Sequence, residues 1–242
     1  MLSKLMKHGK TLILAYDQGL EHGPNDFNEK NIDPKYILDI AKAGKYNAVA
    51  LHKGIAEKYR EEIKLPLILK LNGKTNINNG EPISGLTCSV DEAVKLKAAA
   101  VGYTIYIGSE KEHKMFREFS KIQEEAHKKK LSVIAWIYPR GKAVRNDGKY
   151  MAYAARVGLE LGADIIKIKY NGNVNDLKWA VKCAGRARLV VAGGVKENEK
   201  KFLNQVKDII DAGAAGLAIG RNVWQHEHPL EISKKIREII WG

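Results

Sequence analysis

The chain has 242 residues, 45% of them hydrophobic, and its 41 Lys and Arg outnumber 28 Asp and Glu to leave a net charge of +13. That apolar content excludes a disordered chain, and no run nears the roughly 20 apolar residues that a membrane-crossing helix needs. Two cysteines, Cys88 and Cys183, are too few for a disulfide scaffold, and the N-terminal ten residues lack an apolar signal core, so a soluble cytoplasmic protein is expected.

Short apolar runs rich in β-branched residues alternate with longer periodic ones. The expected strands are 12–17, 48–52, 67–72, 103–108, 132–138, 164–170, 189–193 and 216–220. Asp33-Pro34 supplies an N-cap and a first-turn proline for a helix carrying Ile37, Leu38, Ile40 and Ala41. Asn72 to Gly85 reads as a Gly/Asn-rich loop. Asp147 can begin a helix through Ala154, Ala155 and Leu159 that Gly162 ends. The last helix presents Ile232, Ile236, Ile239 and Ile240 as an apolar stripe.

Eight strands alternating with helices point to a parallel sheet with right-handed crossovers. A helix-end, glycine, strand pattern recurs at Gly44, Gly102, Gly162 and Gly213, about two βα units apart each time. With eight strands in a chain of this length, a single-domain (β/α)8 barrel over residues 1–242 outranks an open sheet. No G-x-G-x-x-G follows the first strand, which argues against a dinucleotide site.

In such a barrel the chemistry lies at the carboxyl ends of the strands. The sixth strand reads Asp164-Ile165-Ile166-Lys167-Ile168-Lys169-Tyr170, and alternation turns Lys167 and Lys169 inward while Ile166 and Ile168 face helices. Inward lysines are either salt-bridged to nearby acids or used as amines with lowered pKa. Asp17 shares a face with Ile13 and Ala15, and Trp136 shares one with Tyr138. Each alone is ordinary capping or packing; together an inward Asp, Tyr and Lys suggest carbonyl chemistry through a Schiff base. The seventh and eighth strands end in Ala192-Gly193-Gly194 and Gly220-Arg221-Asn222, where barrels commonly hold phosphate on backbone N–H groups and a cation.

The lysines outside these strands are scattered through helical stretches without any zinc-finger or RNA-binding signature. They read as solvated faces that attract anionic metabolites, and no nucleic-acid partner is expected. His226-Glu227-His228 has i, i+2 spacing rather than that of H-E-x-x-H, so it reads as a polar helix start and no metal is expected. His22 and His52 could line the barrel mouth.

Four segments together carry a family resemblance: Leu14-Ala15-Tyr16-Asp17-Gln18-Gly19-Leu20-Glu21-His22-Gly23-Pro24, Trp136-Ile137-Tyr138-Pro139-Arg140-Gly141, Lys167-Ile168-Lys169-Tyr170 and Gly220-Arg221-Asn222-Val223-Trp224-Gln225. In this order they resemble the archaeal-type class I fructose-bisphosphate aldolases, a family that also contains 2-amino-3,7-dideoxy-D-threo-hept-6-ulosonate synthases. The resemblance runs from the first strand to the last helix. It implies a metal-free, cofactor-free barrel acting on a phosphorylated sugar. It further implies Lys167 as the Schiff-base residue, Tyr138 as general acid/base and Asp17 as the acid that orients the open-chain sugar. Trp136 would be a pocket wall, Gly193, Gly194, Gly220 and Arg221 the phosphate site, and Arg140 a further contact. It also implies a homo-oligomer, a ring and in many relatives a decamer. Ala192 stands where relatives can have serine, and Asn171-Gly172-Asn173 where they often have Thr-Gly-Asp. Two rival readings are a related Schiff-base aldolase or transaldolase such as the synthases, and a non-catalytic phosphate- or polyanion-binding barrel.

Overall fold

The structure is a computed structural model that describes residues 2–142, 144 and 148–242. Eight parallel strands form a closed barrel in chain order. They are β1 (Thr11–Ala15), β2 (Ala48–His52), β3 (Leu67–Lys70), β4 (Ala100–Ile107), β5 (Ser132–Pro139), β6 (Ile165–Lys169), β7 (Arg188–Ala192) and β8 (Gly216–Ile219). Closure is made by β1 against β8, with Thr11 opposite Gly216 and Leu14 opposite Ile219. This is the (β/α)8 architecture expected from the strand count.

Two-residue alternation divides the core into an outer and an inner part. Leu12, Leu14, Val49, Leu51, Ile166, Ile168 and Val191 pack outward beneath the helices. Ile13, Ala48, Ala50, Ile68, Ile134, Ile165 and Val190 fill the barrel interior. Each fully buried Leu, Ile or Val contributes about 1.5–3 kcal/mol relative to exposure. Leu5, wholly buried among the interior residues, plugs the amino-terminal end of the barrel, and the Thr11 hydroxyl donates to its carbonyl at 2.6 Å.

The helix Pro34–Ala43 begins as its residues predict, with the Asp33 carboxylate accepting from the Lys35 N–H and Ile37, Leu38, Ile40 and Ala41 buried. The last helix, Pro229–Trp241, buries Ile232, Ile236 and Ile240. The helix Lys149–Glu160 is present and Gly162 follows it at φ +81°, where a left-handed backbone favours glycine; the expected starter Asp147 lies outside the described residues.

Two expectations need correction. The fourth strand starts at Ala100 rather than Tyr103, so Gly102 lies inside a strand and the recurring helix-end glycine pattern breaks there. Gly102 serves packing instead: a Cβ at this position would stand 2.1 Å from Cζ3 of Trp136, so the missing side chain makes room for the indole inside the barrel. The Asn72–Gly85 stretch is also not all loop. Its ends pair as a two-stranded antiparallel ribbon, Asn72 with Leu86 and Gly73 with Gly85.

Candidate active site

Parallel strands ending at one rim bring the polar residues of distant segments into one cavity of about 410 Å3. Its lining contains all nine residues expected from the sequence: Asp17, Trp136, Tyr138, Arg140, Lys167, Gly193, Gly194, Gly220 and Arg221. It also contains Lys70, Thr104, Gln18 and Glu21, which the sequence reading did not select.

Lys167 points into the barrel from β6, opposite Trp136 in the β5–β6 register, and is only 6% exposed. Its Nζ lies 5.2 Å from the Trp136 ring centroid, within cation–π range. Burial pushes its pKa down and Arg221 adds to the effect, while Asp17 partly opposes them. The result is an amine that loses its proton more readily than an exposed lysine. Lys169, two residues on, shares the inward parity but is exposed at the rim, and its environment differs from that of Lys167 for that reason.

Asp17 follows β1, whose pairing continues one residue beyond the strand through the Tyr16 N–H to the Ala50 carbonyl at 2.9 Å. Burial alone would raise its carboxyl, but the charges of Lys167 and then Lys70 lead the effects that outweigh burial and hold its pKa below the ordinary value. Asp17 is therefore an acceptor-only carboxylate at neutral pH. Tyr138 sits half-buried at the end of β5. Desolvation and the nearby Asp17 charge push its phenol well above the ordinary value, against the opposing effect of Arg140. It therefore keeps its proton at neutral pH and is a donor. Carboxylate, phenol and buried amine thus occupy three different protonation roles in one pocket.

Lys70 ends β3 on the same face as Ile68. It is 5% exposed, its Nζ donates to the Asn72 carbonyl at 3.2 Å, and it lies 5.3 Å from the Trp136 ring. Burial lowers its pKa to about 8, with Asp17 opposing that shift and Lys167 adding to it. Leu67-Ile68-Leu69-Lys70 alternates as the Lys167 strand does, so the inward direction of Lys70 is legible in the sequence. His52, at the end of β2, is held down to about 4 by burial and by Lys70, and is neutral at physiological pH.

The two arginines arrive already paired. Arg140 donates to Glu21 at 2.6 Å and lies 5.0 Å from the Tyr106 ring centroid and 5.7 Å from that of Tyr138. Arg221 donates to Asp26 at 3.3 Å, and Asp26 is also 2.6 Å from Nδ1 of His22. Glu21 and Asp26, five residues apart after β1, therefore supply counter-charges for the rim. Gly193 is packed so that a Cβ would stand 2.8 Å from Cγ2 of Ile219, and Gly194 has φ +71°. Gly220 lies under the Ala15 carbonyl, where a Cβ would approach to 2.6 Å. Larger residues at Gly193 and Gly220 would displace the backbone that forms the rim.

Asn222 fixes the two glycine-bearing loops to each other: its side-chain amide donates to the carbonyls of Gly193 and Val195 at 2.7 and 2.8 Å. Asn173, in the triplet that departs from relatives, caps the helix Val174–Cys183 by accepting from the Asn175 and Asp176 N–H groups. His226 hydrogen-bonds Glu199 at 3.1 Å and accepts from the His228 N–H at 3.0 Å, outside the cavity.

A relative from Thermoproteus tenax, a class 1 fructose-bisphosphate aldolase, is 50% identical over 241 residues, 98% of this chain and 91% of that protein. One from Methanocaldococcus jannaschii, a fructose-bisphosphate aldolase/6-deoxy-5-ketofructose 1-phosphate synthase, is 38% identical and spans 97% and 81% of the two chains. Among solved structures, an archaeal fructose-1,6-bisphosphate aldolase with its catalytic Lys bound to the carbinolamine of its substrate superposes with a TM-score of 0.95, at 48% identity over 100% of this chain and 98% of that one. Residues 11–226 match the DeoC/LacD family aldolase model, and with relatives this similar along nearly its whole length, the chain belongs to the DeoC/LacD aldolase family.

Proposed function

We propose that the chain is a class I fructose-bisphosphate aldolase that reversibly cleaves fructose 1,6-bisphosphate to dihydroxyacetone phosphate and glyceraldehyde 3-phosphate. The observation that carries this reading is the buried Lys167 amine with its lowered pKa, facing an ionised Asp17 and sharing its pocket with a protonated Tyr138. An amine in that state adds to a carbonyl near neutral pH.

Neutral Lys167 attacks C2 of the open-chain sugar to form a carbinolamine. Tyr138 gives its proton to the departing hydroxyl, and loss of water leaves an iminium. Asp17 accepts the proton of the C4 hydroxyl while the C3–C4 bond breaks. The electron pair of that bond moves into the iminium to give an enamine, and glyceraldehyde 3-phosphate leaves. Asp17 passes its proton to the enamine at C3, and hydrolysis of the resulting iminium, with a proton of the added water returned to Tyr138, releases dihydroxyacetone phosphate and restores the amine. The backbone of Gly193, Gly194 and Gly220 with the Arg221 guanidinium suits one phosphate, and Arg140 suits the other. Each arginine would then trade part of its carboxylate pairing for phosphate. The aromatic wall of Trp136 orients the bound chain.

The synthase-type reading is favoured by one observation, the double activity in the name of the M. jannaschii relative. The higher identity to the T. tenax aldolase favours the fructose bisphosphate reading. Side-by-side turnover of the two substrates separates them. The reading extends to a ring-shaped homo-oligomer, supported by exposed Tyr153 and Trp179 on neighbouring helices, and to the cytoplasm, supported by free Cys88 and Cys183.

The primary test is incubation with fructose 1,6-bisphosphate and borohydride in the presence of chelator, followed by peptide mapping. Reduced substrate on Lys167 is expected, and Lys167→Met should abolish both adduct and turnover. An adduct on Lys169 or Lys70 would move the nucleophile, and no adduct from folded protein would refute the imine mechanism.

A further inference from the structure

Lys70 is a buried cation that the steps above leave without a task. A lysine 5% exposed is costly unless its charge is used. Its position is tightly set. The Nζ donates to the Asn72 backbone carbonyl at 3.2 Å, and Asn72, itself fully buried, is clamped to β4 by its side chain: Nδ2 donates to the Thr104 carbonyl at 2.9 Å and Oδ1 accepts from the Thr104 N–H at 2.7 Å. Lys70 and Lys167 stand at nearly equal distances, 5.3 and 5.2 Å, from the same Trp136 ring.

Asp17 must stay ionised to take a proton, yet burial pushes its carboxyl the other way. Lys167 is its strongest supporting charge, and that charge disappears when Lys167 becomes a neutral amine and then a neutral carbinolamine. The groups facing the site leave few substitutes. His52 carries no charge at neutral pH. Arg140 is engaged by Glu21 at 2.6 Å, and Arg221 lies against Asp26 at 3.3 Å. Among the described residues, Lys70 is the other ammonium acting on Asp17.

We propose that Lys70 is a positioning residue for the aldol reaction, remaining an ammonium and holding the Asp17 carboxylate ionised while Lys167 is uncharged. The inference rests on Lys167 as the imine-forming residue. The carboxylate would otherwise take up a proton during the amine and carbinolamine stages and would no longer be free to accept one from substrate once the iminium has formed. A structural role for Lys70, anchoring the start of the Asn72–Gly73 ribbon strand, predicts no change in ionisation.

The variant Lys70→Met, with its fold checked by circular dichroism, tests this through the pH profile. We expect the acid limb of kcat/KM to move up by about one pH unit, and kcat below that limb to fall about tenfold with KM changed little. Lys70→Arg, or Lys70→Cys alkylated to an aminoethyl thioether, restores the cation and should return the limb toward its original position. A folded Lys70→Met protein whose kcat stays within about threefold and whose acid limb does not move would overturn the proposal. Borohydride mapping of the unmodified protein keeps the two assignments distinct. A Lys167 adduct together with an unmoved limb defeats only the role of Lys70, whereas an adduct on another lysine defeats both.

Discussion

Gly102→Ala probes the packing that shapes the catalytic wall without touching a group that carries chemistry. The added methyl would stand 2.1 and 2.2 Å from Cζ3 and Cη2 of Trp136, far inside van der Waals contact, so the ring must move by an ångström or more. The alanine itself is welcome in a strand and should gain about 0.4–1 kcal/mol by restricting the unfolded chain. Overpacking a filled interior costs about 1–3 kcal/mol. The net expectation is a loss of about 1–2 kcal/mol, read by urea denaturation with an unchanged m-value. Trp136 is also within cation–π distance of both Lys167 and Lys70, so displacement of the ring disturbs the site as well as the core. Since misplacement of about 1 Å can cost up to 100-fold, kcat/KM should drop at least tenfold. Adding Trp136→Phe to Gly102→Ala should recover part of the stability, because the smaller ring vacates the space the methyl needs. Stability within about 0.5 kcal/mol of wild type, with unchanged kcat/KM, would refute the steric account.

The remaining expectations concern single groups. Tyr138→Phe removes the phenolic proton and should lower kcat by a factor of about 100 or more with a smaller change in KM, measured by coupled assay of triose phosphate release. Arg221→Ala should raise KM about 10- to 100-fold through loss of a charge-assisted contact; equal KM values, or equal inhibition by inorganic phosphate, would remove Arg221 from the phosphate site. Lys70, whose pKa falls to about 8 from 10.5, binds fewer protons in the folded than in the unfolded chain between these values. Its burial cost is therefore full below about pH 8 and relieved as pH rises toward 10.5, so stability should increase over that window by this contribution. The stability difference between Lys70→Met and wild type should shrink across the same window, and a difference independent of pH would contradict the shift. Asn222→Asp would put a carboxylate oxygen beside the Gly193 and Val195 carbonyls in place of the N–H donors and should cost about 1–3 kcal/mol, read from thermal denaturation.

Local patterns carried the architecture a long way. The alternation in Ile165-Ile166-Lys167-Ile168 placed Lys167 in the interior because side chains on a strand must change faces at every residue. Asp33-Pro34 marked its helix because capping and a fixed φ act within a few residues. Gly193 and Gly220 were legible because strand-end glycines in the last two units of a barrel recur for a steric reason, close backbone approach, that the structure reproduces. Lys70 obeys the same parity rule, but a single lysine ending Leu67-Ile68-Leu69 looks like any strand-end charge until the barrel closes around it.

What the chain by itself determined was therefore the number and phase of the strands, and with them the residues that face inward at the carboxyl rim. Those follow from periodicity and nearest-neighbour sterics. Tertiary structure alone decided how the inward groups meet. Glu21 finds Arg140 across 119 residues of sequence and Asp26 finds Arg221 across 195. The missing side chain of Gly102 admits the Trp136 ring, and two lysines from β3 and β6 come to line one cavity with the Asp17 carboxylate. Coulomb and desolvation energies depend on distances through space and on the exclusion of water, and both are set only when the barrel is closed.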